Sequence, residues 1–188
     1  TYTNRVNLRY TNANVSKGRS FSFAIGANME NGYIADEVTT KVGTILPNGN
    51  PLEPGQQFSM PVNMDGRWSL WANTSYGLPV GFLKSNLNFE LGGYFANTPG
   101  MINKLNTKTT QNAINGGITL SSNISENIDF TFSWRGNYDI SRDESNSLVP
   151  QNRSFSQVAA GAIKWVAWAG ITFSGNISYN QEKGITQD

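Results

Sequence analysis

The chain contains no cysteine and no histidine, and each absence removes chemistry. Without cysteine there is no disulfide and no thiolate nucleophile. Without histidine a serine triad has no base, and with both missing the usual soft ligands of zinc are gone. Charge is scarce too: 14% of the 188 residues are charged, and the formal net charge is +1. That balance offers no electrostatic footprint for nucleic acid. No apolar run of about 18 residues is present, so no segment reads as a transmembrane helix. Gly-x-Ser-x-Gly, phosphate-loop and dinucleotide fingerprints are missing as well. The chain is expected not to be an enzyme and to hold no cofactor and no metal. It opens in strand-like sequence, without the basic and apolar regions of a secretory signal. The expectation is that a signal was removed or that the sequence is an internal piece.

What is present is 12% aromatic residues, 19 glycines and many Asn, Ser and Thr. Mean hydropathy is negative, but a membrane strand alternates lipid-facing with lumen-facing residues, so its average hydropathy is diluted. Strict alternation, scored against helical spacing, picks out about eight strands. The clearest runs from Ile128 to Ile140. Ile128, Phe130, Phe132, Trp134, Gly136, Tyr138 and Ile140 share one face, and Asp129, Thr131, Ser133, Arg135, Asn137 and Asp139 the other. A helix would mix these sets; a strand separates them. The same pattern recurs at Ile171 to Asn180, Asn86 to Phe95, Phe21 to Glu30 and Arg67 to Tyr76, where Trp71 alone breaks it. Weaker segments are Arg5 to Ala13, Asn112 to Ile124 and Phe155 to Trp168, the last with Ile163 and Trp165 outward and Lys164 inward.

The connections alternate between short (Val15 to Arg19, Pro79 to Phe82, Ser125 to Asn127, Ala169–Gly170) and long polar ones (Leu46 to Gln57, Asn97 to Lys108, Glu144 to Arg153). Outer-membrane barrels show this asymmetry. Aromatics at Trp165, Trp168, Tyr76, Phe82, Tyr94 and Tyr138 lie near strand ends, where an interfacial girdle belongs. The expected fold is all-β: an antiparallel up-and-down meander of about eight long strands, an arc of a larger transmembrane β-barrel filling residues 1–188 as one partial domain. With short turns on the periplasmic side, both ends fall on the extracellular side, which suits a piece of a larger barrel. A self-contained eight-stranded barrel is the alternative.

Three stretches carry a family resemblance: FSMPVNMDGRWSLWANTSYGLPVGFLKSNLNFELGGYFANTPGMIN, GGITLSSNISENIDFTFSWRGNYDISR and QVAAGAIKWVAWAGITFSGNISYNQ. From Asn4 to Gln187 the chain resembles the barrel of TonB-dependent outer-membrane receptors, of the Bacteroidota-type outer membrane β-barrel family. The resemblance implies location in the outer membrane of a Gram-negative cell. It also implies uptake of a scarce solute, energised through the TonB system, past an N-terminal plug domain for which this sequence supplies no residues. Expected partners are outer-membrane lipid, the plug and TonB system, and a solute the sequence does not identify.

The candidate lumen residues are Arg67, Trp71, Glu90, Arg135, Asp139 and Lys164, with Arg5 and Arg9 on the same face. Charges in a lumen can touch a plug or solute, but mutual pairing is the weightier reading because unpaired charge away from water is costly. Trp71 is open to three readings: stacking on a sugar ring, packing on a plug, or a bulge that reverses the phase. The acidic pairs Asp143/Glu144 and Asp36/Glu37 read as solvated loop charge. Glu126 and Asp129 flank a tight turn. Pro47 to Gly55 is the most turn-rich segment and a candidate contact loop. Five Asn-x-Ser/Thr triplets, beginning at Asn14, Asn73, Asn123, Asn152 and Asn176, carry no weight in so Asn-rich a chain. Competing functions are a secreted β-sandwich that binds carbohydrate or mediates adhesion, and an outer-membrane protein that does not transport.

Overall fold

A computed structural model describes residues 1–122, 125, 127–144 and 151–185. Glu126, the end of the expected strand at Asn123 and Ile124, and residues 145–150 of the Glu144 to Arg153 connection lie outside them. Ten strands form one sheet: β1 Tyr2–Asn14, β2 Arg19–Asn31, β3 Tyr33–Thr39, β4 Phe58–Met64, β5 Arg67–Val80, β6 Ser85–Ile102, β7 Leu105–Ser122, β8 Ile128–Asp143, β9 Asn152–Val166 and β10 Thr172–Ile185. Eight of them follow as an antiparallel meander in the order β1-β2-β5-β6-β7-β8-β9-β10. All eight expected segments are strands in that meander. The sheet does not close; β1 and β10 hold its outer edges.

Register makes the two faces. Directly paired residues point to the same side, and the pairing Phe21, Tyr76, Phe89, Ile118, Trp134 runs unbroken from β2 to β8. The apolar set of every strand therefore lands on one side. Among the described residues no second sheet covers it, and Phe132 is 56% and Ile177 76% exposed. Among the described residues of the eight-strand meander the buried apolar side chains are Ala96 and Ala113, both on the opposite, polar face. The accessible surface is 13185 Å², against about 8,900 Å² for a compact monomer of this mass.

The two ends of the sheet differ. One carries tight turns: single turns of 3-10 helix at Val15–Lys17, Gly81–Leu83 and Trp168–Gly170, and a bridge from Ser125 to Ile128. Asn14 begins the first by accepting hydrogen bonds from Lys17 N (3.0 Å) and Ser16 Oγ (2.8 Å). Gly18 ends it at φ 61°.

At the other end two expectations need correction. Asn97 to Lys108 is not a long loop. β6 and β7 run 18 residues each and meet in a two-residue turn, Asn103 and Lys104, at φ 50° and 65°. Type I′ hairpins demand positive φ at both positions, and Asn tolerates it. The strand continues there in mostly polar residues, so apolar alternation does not mark it. The expected short–long alternation therefore fails at this connection. Second, Leu46 to Gln57 is only the tip of a longer excursion between Gly32 and Gly66, which adds β3 and β4. Tyr33–Thr39 mixes apolar with acidic residues, which hid the strand.

The excursion returns to the sheet. β3 pairs in parallel with β6 at Glu37–Met101 and Val38–Ile102. Asn103 holds it there: its Oδ1 accepts from Thr40 N (2.8 Å) and Lys41 N (3.1 Å), its Nδ2 donates to Thr40 Oγ1, and its backbone N–H donates to Val38 O. Glu37 is 8% exposed within β3, so it is not the solvated loop charge expected; Asp36 is exposed. In the tip, Ile45 bridges Pro51 and Leu52 is only 2% exposed. The turn-rich segment is thus folded around one leucine.

Gly18 tests the turn chemistry. A Cβ there would sit 3.4 Å from Pro79 Cγ, an ordinary contact, so Gly18→Ala is opposed by backbone conformation alone. It should lower stability by about 1 kcal/mol, with Gly18→Asn milder. Urea unfolding of the refolded chain in detergent measures this, and an unchanged midpoint would refute the left-handed turn.

Candidate functional site

The polar face is the candidate site, and all six predicted residues lie on it. The pairings Asn7–Gly26, Gly26–Trp71, Trp71–Tyr94, Tyr94–Ala113 and Ala113–Asp139 run across the sheet as one row. The next row toward the short turns contains Arg9, Ala24, Asn73, Gly92, Asn115 and Asn137. Below it lie Thr11, Ser22, Ser75, Glu90, Gly117 and Arg135. Donors and acceptors are dense here, and charge is sparse.

Glycines on this face decide which side chains meet. Neighbouring strands are about 4.8 Å apart, so residues two strands apart meet only if the one between is low. Gly117 of β7 lies between Glu90 of β6 and Arg135 of β8. Arg135 Cγ crosses 3.2 Å from where a Gly117 Cβ would stand, and Arg135 Nε reaches within 3.8 Å of Glu90 Oε2. Asn73 and Asn115 both lean over Gly92, and their side-chain oxygens would lie 2.5 and 2.6 Å from a Cβ there. Gly26 lies under the Trp71 indole, with Nε1 and Cε2 both 2.5 Å from a Cβ position and Asn7 Oδ1 equally near. Ser20 and Asn88 converge likewise over Gly77.

The pairing expected among the charges of the polar face is seen in part. Arg67 Nη1 donates to Glu30 Oε2 at 2.8 Å, and its guanidinium sits 4.5 Å over the Tyr33 ring. It thereby joins β2 and β5 to the first residue of the excursion. Arg135 leans toward Glu90, but both are exposed, so the pair contributes little. Asp139 accepts a hydrogen bond from Asn137 Nδ2 rather than from a cation. Lys164 faces Asp129 and Ser174 in register, at the short-turn end, beside a groove of about 290 Å³. Asp129 Oδ1 in turn accepts from Ser122 Oγ at 3.0 Å. Arg67 and Lys164 therefore stand at opposite ends, and only Glu90 and Arg135 of the six are brought together.

Trp71 is not at a bulge: register runs through Leu70, Trp71 and Ala72 without interruption. Its row partner Tyr94 corrects one expectation, because it faces the polar side and cannot belong to a lipid-side girdle. Sequence reasoning did not connect Trp71 with Tyr94, nor Asn73 with Asn115 and Asn137. Alternation placed each on the polar face, but which residues share a row depends on register between strands. Outside the candidates, Glu144 of the acidic pair lies 3.2 Å from Lys108 Nζ. Among the described residues no three carboxylates gather as a metal site.

Gly26→Ala should force Trp71 off the sheet and destabilise the chain by about 1–3 kcal/mol, as overpacking does. The double variant with Trp71→Ala should recover most of that loss. Urea unfolding supplies the cycle, and additive losses would show that the two residues do not interact. Compared with family models, curated proteins and solved structures, the chain matched none.

Proposed function

We propose that this chain is part of the wall of an outer-membrane β-barrel, in a TonB-dependent receptor that takes up a solute. The carrying observation is an apolar face that continues across eight strands with nothing over it. Contiguous apolar patches on soluble monomers seldom exceed a few hundred Å². Lipid is the surrounding that removes the cost. A sandwich would need a second sheet on that face. Strand lengths of 13–18 residues in the meander satisfy the roughly 9–11 that a tilted membrane strand requires.

On this reading the polar face lines the lumen. Its Asn, Ser and Thr side chains offer both donors and acceptors to a solute, with Trp71 and Tyr94 as an aromatic step between the Asn rows. The unpaired edges of β1 and β10 would be costly in lipid and call for further strands. The plug and the TonB-driven step rest on the family resemblance.

The lack of native cysteine makes the face assignment testable by single substitutions. Cysteines at Thr131, Ser133 and Arg135 should react with a charged, membrane-impermeant thiol reagent in whole cells; those at Phe130, Phe132 and Trp134 should not. Uniform labelling would overturn the assignment. For the receptor role, a solute whose uptake is lost on deleting the gene should also be lost when TonB is inactivated. Uptake that survives without TonB would leave a passive pore instead.

A further inference from the structure

We infer that β7 to β10 carry, on their outward face, a binding site for a phosphate-bearing membrane lipid; this rests on the outward face being lipid-facing. A groove of about 540 Å³ runs there. Its floor is Ala159 and Gly161 of β9, and its walls are Phe132 and Trp134 on one side and Ile177 and Tyr179 on the other. The small residues of β9 leave a trough of acyl-chain character between larger neighbours.

Toward the long-connection end the chemistry changes in order. The next outward row holds Gln157 and Gln181. Trp134 Nε1 donates to Gln157 Oε1 (3.1 Å), and Gln157 Nε2 donates to Gln181 Oε1 (2.6 Å). This is a belt of hydrogen-bonding groups at the groove's mouth, level with where a lipid's ester or amide linkages would lie. Each further outward row is about 7 Å on. There stand Lys183 on β10, Arg153 on β9, Arg142 on β8 and Lys108 on β7, each one row higher than the one before. They form a diagonal of four cations beyond the groove, interleaved with Phe155 and Tyr138 in the row of Lys183 and with Ile140 in the row of Arg153. Among the described residues the outward carboxylate in this region is Glu144, beside Lys108. Arg153 is steered by Gln151, whose Oε1 accepts from its Nε and Nη2. Acyl chain and linkage thus find apolar and then hydrogen-bonding surface, and the nearest cation for a phosphate, Lys183, stands one row beyond on β10, level with Phe155 and Tyr138. Arginine adds the forked geometry suited to phosphate.

The test reconstitutes the whole barrel protein that contains this chain in phosphatidylcholine vesicles with increasing fractions of dibrominated phosphatidic acid or dibrominated phosphatidylcholine. Trp134 quenching is isolated by comparison with Trp134→Phe. Phosphatidic acid should quench at the lower fraction. Replacing Arg142, Arg153 and Lys183 by Gln should remove the preference, about fivefold per cation at low salt. Quenching by brominated phosphatidylcholine should persist, showing that the variant is inserted, and Arg142→Lys with Arg153→Lys should retain most of the preference. Equal quenching by the two lipids, or a preference that survives the triple variant, overturns the headgroup site alone. A preference abolished by inorganic phosphate makes it an ion site and overturns the lipid assignment. Absence of quenching by either lipid overturns the lipid-facing reading and this site with it.

Discussion

Everything in this molecule depends on register. Eight strands pair in sequence, and each pair hands its facing on to the next because directly opposed residues share a side. A slip of one residue at any ladder would turn the apolar set of all later strands to the polar side. No single contact supplies an alternative anchor, since among the described residues the meander buries no large side chain. The backbone ladder and the preference of one face for an apolar surrounding therefore do together what a packed core does elsewhere.

Glycine gives that flat scaffold its relief. On the polar face it lets neighbouring side chains lie across it: Arg135 reaches toward Glu90 over Gly117, Asn73 and Asn115 both lean over Gly92, and Trp71 lies over Gly26. On the apolar face the same device lets aromatic rings lie down, Phe132 against Gly161 and Trp134 against Gly136, each about one ring contact away. A glycine within a strand sacrifices intrinsic stability. Here its position decides which neighbours meet, so substitution changes the pattern of a face rather than one residue.

How far this was legible in the sequence differs from element to element. Ile128 to Ile140 announces its two faces because every second residue except Gly136 is large and apolar. Polar strand extensions do not: beyond Asn97 alternation between apolar and polar ceases, so β6 and β7 look like loop until the type I′ turn at Asn103 is seen. β3 is hidden because Glu37, a charged residue, is buried inside it. Residue membership of the polar face was readable one strand at a time. The row joining Trp71 to Tyr94, and the diagonal from Lys183 to Lys108, needed the offset between strands. That offset is set by turn length and hairpin geometry, which composition does not encode.

The two ends of the sheet follow from the same physics. Tight turns at one end leave little backbone unpaired, whereas the other sends out an excursion whose own ladder is closed by β6 and by four hydrogen bonds to Asn103. Structure that far from the apolar band is stabilised by polar contacts, and its buried apolar side chains among the described residues are Leu52 in the tip and Ala35 and Met64 in the β3–β4 hairpin. Between these ends the outward face is free of carboxylates among the described residues, and its cations lie toward the strand ends, Arg19 at the short-turn end and Lys183, Arg153, Arg142 and Lys108 at the other. Charge excluded from a middle band and restored beyond it is what a low-dielectric slab selects, because an unpaired charge there costs several kcal/mol. Water imposes no such band. The distribution of charge along the strands therefore argues for a membrane independently of the exposed apolar area.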